Sequence, residues 1–522
     1  MRDRPFEMAL VLSALLVALV AGYRISTAAT NTSAPAAKEN VLTIGTSEDA
    51  ITLDPQQSTR WLDTEIFDNI YDRLVTRDKD QKIVPQLATS YKAVDPLTWE
   101  FKLRQKVKFA NGEPFNANSI KVTIEKILDR NEKLVNLTAF YAGIDKVQVV
   151  DDLTVRIMTK TPDPLLPGIL SGYGGLIIPP QYLAQVGRKD FAIKPNGTGP
   201  YKLDSWVKDQ QVVLVRNENY WGPKPPFDRV IWKPIPEPGA RVAALLKGEV
   251  DMILPAPIDQ VDAIQKAGMK VNTGPAGMNA LWAMCYDNCA VPILKTTKFR
   301  QAMNLAIDRA SIVKNLYKGL ALVPNGYILS TDFGYDAKLP PLEYNPTKAK
   351  QLMTEAGYKG EQIVMYTTVS DYIPNDKMLA ESVADMLKQV GINVDLRTFD
   401  TATRGTMFTN KTSPGLMIGN PSSPFLDPVG HFWRQLKPGG YYNHGYAADH
   451  KGFTDTMTAA AQEMDGQKRA ALYQKANQYL INDPPWLMVI QQMNVTAEGP
   501  KAASWFPRPD LEVYMSDFAP AK

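Results

Sequence analysis

The sequence predicts an α/β protein of more than one domain. Three observations carry that expectation. At 522 residues the chain is too long for one ordinary hydrophobic core. Short alternating apolar runs interchange along it with stretches of helical period. Turn clusters rich in Gly and Pro separate the two kinds of segment. The composition, 44% hydrophobic and 22% charged, is that of a soluble globular protein. A formal net charge of +3 without any Lys/Arg block offers no dedicated nucleic-acid surface.

The N-terminus stands apart. Arg2 and Arg4 precede an apolar run, residues 8–22, and the small residues Ser26-Thr27-Ala28-Ala29 follow. That order predicts a secretory signal peptide over residues 1–29, with cleavage near Ala28 or Ala29 or later, within residues 34–36. The rival is an uncleaved anchor, for which the apolar run is short. Residues 30–40, rich in Thr, Ser, Ala and Pro, read as a disordered lead.

Val41–Thr46 alternates and reads as the first strand. A polar loop with Glu48-Asp49 and Leu53-Asp54-Pro55 leads to a helix over residues 64–74, its face set by Ile66, Ile70, Tyr71 and Leu74. Asn111-Gly112 suits a hairpin turn after Val107-Lys108-Phe109. A helix over residues 119–128 follows, and then a hairpin about Asp151-Asp152. Gly197-Thr198-Gly199-Pro200-Tyr201 reads as a turn in which Gly supplies positive φ. Beyond it come strands at Gln211–Arg216 and residues 227–234, a helix over residues 240–247 stopped by Gly248, and a short strand at 250–253.

The second half repeats the alternation. Strands are expected at residues 269–271 and 281–284, then helices at 299–307 and 309–317. Asn345 is a plausible cap for a helix beginning at Pro346. A strand at 363–367, an amphipathic helix at 377–390 ended by Gly391, and a strand at 392–396 follow. A last helix spans residues 473–481, and an apolar run from Trp486 completes the pattern.

One stretch carries a specific resemblance. Gly197-Thr198-Gly199-Pro200-Tyr201, then Trp206, then Arg216-Asn217-Glu218-Asn219-Tyr220-Trp221-Gly222, then a helix closing on Lys247-Gly248-Glu249-Val250-Asp251-Met252-Ile253 resembles the core of the extracytoplasmic solute-binding proteins of family 5. That family includes the oligopeptide-, dipeptide- and nickel-binding receptors of ABC importers. The Leu53-Asp54-Pro55 loop, the Phe109-to-Phe115 order and Arg300-Gln301-Ala302 ahead of Asp308 extend the resemblance over roughly residues 41–510.

The resemblance implies a periplasmic-binding-protein-like α/β fold (type II, cluster C), with two large lobes joined by hinge strands and an additional small domain. Lobe I then takes residues 41–82, 200–277 and 490–522, the small domain 83–199, and lobe III 278–489. It also implies a monomeric periplasmic receptor that captures a peptide or peptide-like solute between the lobes and delivers it to a membrane permease. No catalysis and no cofactor belong to that role.

The residues agree on the absence of catalysis. There is no Gly-x-Ser-x-Gly elbow, no phosphate loop with its Lys and no His-Glu-x-x-His. His431, His444 and His450 make a poor metal cluster, so no metal is expected. Cys285 and Cys289, four apart in an exported chain, are expected to form a disulfide.

The ligand contacts are harder to place. Peptide-binding relatives carry an Asp three residues before an Asp-Pro pair, and it receives the peptide ammonium. Here that pair is Asp427-Pro428 and the clamp position falls on Pro424, which has neither charge nor backbone donor. Asn420 and Ser423 instead suggest hydroxyl, amide or phosphate recognition, so an opine, sugar-phosphate, oligosaccharide or other polar conjugate is the alternative ligand. The candidate contacts are Glu48 and Asp49 for a cation or hydroxyls and Arg404 for a carboxylate or phosphate. Asn420, Ser423 and His431 are candidate polar groups, and Trp61, Trp282, Phe425 and Trp433 candidate aromatic walls. If the chain around His431 is extended, Trp433 falls on the same side. Each aromatic has core packing as its competing role.

Overall fold

A computed structural model describes residues 39–285, 289–368, 373–410, 412, 415–440 and 446–518. The expected signal peptide, most of the lead and His444 lie outside the described residues.

An eleven-stranded mixed sheet runs through the molecule. Its order is Val394–Phe399, Ile363–Thr368, Leu416–Gly419, Lys270–Met284, Trp486–Glu498, Met252–Leu254, Val41–Thr46, Arg229–Pro234, Gln211–Arg216 and Tyr201–Val207, with Ala321–Leu322 paired to Trp486–Glu498 off this path. Val41–Thr46 lies parallel to both its neighbours, and so does Ile363–Thr368 in the other half. The two halves are the two lobes of the fold, and the long antiparallel pair Lys270–Met284 and Trp486–Glu498 joins them.

That pair explains the strength of the connection. Residues 281–284 alternate between two hydrophobic clusters: Trp282 and Met284 enter one, Leu281 and Ala283 the other. Leu487 and Val489 alternate with Trp486 and Met488 in the same way. A strand buried on both faces loses the polar positions that would show its period. The two strands expected at 269–271 and 281–284 are accordingly one, Lys270–Met284, with its register shifted between Pro275 and Asn279. Pro275 has no N–H to give to the ladder, which favours an interruption there.

A separate four-stranded antiparallel sheet has the order Ala88–Asp95, Thr98–Leu103, Thr154–Thr159, Ile144–Asp151. Ile120, Ile124 and Ile127 of helix Ala117–Leu128 enter its hydrophobic cluster. Asn116 caps that helix, accepting from Asn118 N at 3.0 Å. Asn345 caps helix Pro346–Glu355 as expected, accepting from Lys348 N at 3.0 Å.

Two local expectations change. The helix placed at 64–74 is Trp61–Ile70, and Tyr71 is already extended. Gly197 and Gly199 are needed for close approach, not for positive φ. A Cβ at Gly197 would stand 2.1 Å from the Ile70 carbonyl oxygen, and Gly199 N donates to that same oxygen at 2.9 Å. Thr198 between them donates to Asp72 at 2.9 Å, and Trp221 Nε1 donates to the same carboxylate at 2.8 Å. The Gly-Thr-Gly turn thus seats the end of the first helix. Cys285 and Cys289 are joined by a disulfide, with Cα atoms 5.3 Å apart.

Candidate functional site

A cleft opens where the two connecting strands pass between the lobes. Ala276 and Met278 come from one strand and residues 492–496 from the other. Trp61 and Glu65 of the first helix, Leu254 to Ala256, and Trp505, Leu511 and Val513 of the C-terminal segment wall one side. Pro374, which precedes helix Asp376–Gln389 in the other lobe, faces them.

The lining is mostly apolar, and Glu65 is its one ionisable side chain among the described residues. Glu65 is 2% exposed, and its Oε2 has no hydrogen-bond partner. Burial, with Asp68 and Asp63 nearby, holds its carboxyl well above the usual range. Trp505 Nε1 is a second buried polar atom without a partner. Gln492 is engaged, donating to the Asn279 carbonyl at 3.1 Å.

Of the ten candidate contacts, Trp61 lines this cleft. Glu48 pairs with Arg60 at the surface. Asp49 is a structural anchor: it accepts from Asp209 N at 2.8 Å and Trp206 Nε1 at 3.2 Å, so it fastens the loop after the first strand to a neighbouring hairpin. Trp282 is fully buried and donates to the Tyr366 carbonyl at 2.9 Å. Arg404 donates to the Ile418 carbonyl at 3.3 Å. Asn420 is half-buried just past the strand Leu416–Gly419. Ser423 N donates to Gly277 O at 2.7 Å, and its hydroxyl accepts from Asp427 N at 3.1 Å. These bonds use the polar groups of Ser423 to hold its loop against the connecting strand.

His431 is fully buried, with Nε2 3.2 Å from Asn279 Nδ2 and Nδ1 3.3 Å from Asp332 Oδ2. Trp433 packs edge-on to Phe453 at 5.8 Å. The segment Val429–Trp433 is helical rather than extended, so the expected sharing of one side by His431 and Trp433 does not arise. Phe425 reaches across to the small sheet, meeting Phe140 edge-on at 4.9 Å, and Arg77 donates to its carbonyl. It lines a second cavity with Arg77, Asp332, Asp427 and Arg469. There Tyr473 donates to Asp427 Oδ1 at 2.7 Å, and burial raises the Asp427 carboxyl to about 6.

Glu65, Met278 and Trp505 were not foreseen as cleft residues. Glu65 occupies the polar side of a helical pattern and reads there as solvated. The only cue was the density of acids, with Asp63, Glu65 and Asp68 in one ten-residue helix.

Residues 82–443 match the family described as bacterial extracellular solute-binding proteins, family 5. The chain belongs to that family. The glutathione-binding protein GsiB of Pectobacterium atrosepticum is 28% identical over 495 residues, covering 92% of this chain and 94% of the relative. GsiB of Escherichia coli strain K12 is 27% identical over 506 residues, 94% of this chain and 96% of its own. Among solved structures, NikA from Brucella suis in complex with Fe(III)-EDTA superposes with a TM-score of 0.82 at 24% identity, over 92% of this chain and all of that one. DppA from Helicobacter pylori in complex with the peptide STSA gives 0.78 at 23% identity, over 92% and 98%. These likenesses show the bilobed fold with hinge strands. As a member of family 5 it is an extracellular solute-binding protein.

Proposed function

We propose that the receptor takes a peptide or peptide-like solute into the cleft at the hinge strands. The observation that carries this reading is the lining itself: both connecting strands and both lobes contribute to one largely apolar pocket. A solute bound there touches both lobes, so its contacts favour the closed arrangement. Apolar area removed from water contributes roughly 25 cal/mol per Å². The relatives described as glutathione-binding support a small peptide-like ligand.

A phosphate or sugar-acid ligand would need cations, and the cleft lining contains no Lys or Arg among the described residues. An opine finds no support among the relatives named above. Isothermal titration of the full mature chain with glutathione, trialanine and Met-Leu, beside glucose 6-phosphate and an opine, tests the class. A peptide binding one-to-one and recovered unchanged is the expected result. Binding confined to the phosphate or the opine would reverse the assignment.

The division into lobe I, small domain and lobe III at residues 82, 199, 277 and 489 is part of the same proposal. Limited proteolysis should cut near these positions, with the cuts near 277 and 489 slowed by ligand. Cuts elsewhere that leave ligand-independent fragments would contradict it.

A further inference from the structure

We propose that Glu65 is the anionic anchor of the cleft and receives a positively charged amine of the solute. The inference rests on reading the hinge cleft as the ligand site and names the chemistry that site selects. The preferred solute is then an ammonium on a largely apolar or peptide body, rather than a phosphate, a sugar acid or a neutral sugar.

The geometry supplies the reason. A carboxylate taken out of water without a partner is costly, and proteins normally pair it or leave it at the surface. Glu65 is buried, lines the cleft and keeps one carboxylate oxygen without a hydrogen-bond partner. Its charged neighbours on the helix, Asp63 and Asp68, are committed elsewhere. Asp63 accepts from the Ser58 hydroxyl at 2.5 Å and from Ile51 N at 3.2 Å, and Asp68 lies 2.7 Å from Arg73. Both are acids and repel further negative charge, so the local field also favours a cation. Among the described residues, no Lys or Arg lines the cleft to neutralise Glu65 from within it. Burial holds the Glu65 carboxyl toward its neutral form, and a bound ammonium would supply the counter-charge that stabilises the charged form, with a charge-assisted hydrogen bond.

The loop with Pro424 does not compete for this role, since Asn420-Pro421-Ser422-Ser423-Pro424 contains no acid. On the opposite polarity, the buried Trp505 Nε1 offers one donor to an acceptor oxygen of the same ligand. An amine and a carbonyl or carboxylate on one small body is what a short peptide presents.

The test uses the full mature chain and four variants: Glu65→Gln, Glu65→Asp, Trp505→Phe and the cleft-filling Met278→Trp. Glutathione, trialanine and Met-Leu are titrated calorimetrically, each beside its N-acetylated form. The expected result is that at least one free-amine peptide binds and that N-acetylation weakens it roughly 10- to 100-fold. Glu65→Gln should weaken the free-amine form by a similar factor and the acetylated form hardly at all, so the two changes do not add. Glu65→Asp should recover part of the loss. Thermal unfolding of Glu65→Gln should match or exceed the parent, because an unpartnered buried acid has been neutralised.

If Met278→Trp abolishes peptide binding while Glu65→Gln leaves it unchanged, the cleft reading stands and the Glu65 assignment is overturned. If neither variant alters binding, the cleft reading fails with it. Equal binding of free and acetylated peptides, or no binding by any of the amines, also overturns the assignment.

Discussion

At the residue scale, the cost of burying acids organises much of this molecule. Glu498 is fully buried, accepts from Asn272 Nδ2 at 2.9 Å and from the Thr496 hydroxyl, and has its carboxyl raised to about 7 by burial. A folded-state value above the unfolded one means that the native state holds the proton more tightly. The resulting stabilisation is complete below the unfolded value, near 4.5, and is lost as pH rises through about 7. Glu498→Gln should therefore flatten the fall in stability between those values and stabilise the protein at pH 8 by about 1–3 kcal/mol. Chemical denaturation at pH 4.5 and pH 8 checks this; a variant that keeps the parent's pH profile would contradict it. Gly197 makes the opposite kind of point. Its substitution by Ala meets the Ile70 carbonyl oxygen at 2.1 Å, a backbone atom that cannot move aside cheaply. Gly197→Ala should cost at least about 2 kcal/mol, measured by urea unfolding.

At the element scale, the first helix shows what the sequence could and could not display. Its existence was legible from the spacing of Ile66 and Ile70, and the cap at Asn345 from residue type alone. The polar face was misleading. Every residue from Leu62 to Ile70 is buried, because a segment more than four hundred residues later covers the side that periodicity assigns to solvent. Asn69 fixes that cover by donating to Val513 O at 2.7 Å and accepting from Met515 N at 3.0 Å. No local pattern announces such a partner, so nothing in the sequence singles out Glu65. Trp282 and Trp433 make another point: an aromatic reads alike whether it walls a pocket or fills a core, and these two have core surroundings. The family resemblance located the fold and role but not the contacts, since the loop with Pro424 departs from the peptide-binding pattern.

The same helix end holds a buried charge network. The Arg73 guanidinium lies 2.7 Å from Asp68 and 2.9 Å from Glu512, and it also donates to Tyr514 at 2.9 Å and to Gly172 O at 3.3 Å. One side chain thus links the first helix, the C-terminal segment and the chain beside the small sheet. Such a pair adds little over a well-packed apolar replacement, yet losing one partner strands the others. Arg73→Met should destabilise by about 3–5 kcal/mol in denaturant titration. A loss below about 1 kcal/mol would show that Asp68 and Glu512 accommodate protons or other partners without strain.

At the scale of the whole molecule, one sheet spans both lobes, and the irregular register at Pro275–Asn279 sits where the strands border the cleft. Gly277 N donates to Pro509 O at 3.0 Å and Gly277 O accepts from Ser423 N at 2.7 Å, so segments from both sides meet at this point. A ligand seated there acts on the elements that set the angle between lobes. Hydrogen–deuterium exchange of the full mature chain, with and without a saturating short peptide, measures that claim most directly. Protection is expected in peptides covering residues 61–65, 276–278 and 492–496. Protection confined to other surfaces, with these three segments unchanged, would contradict it.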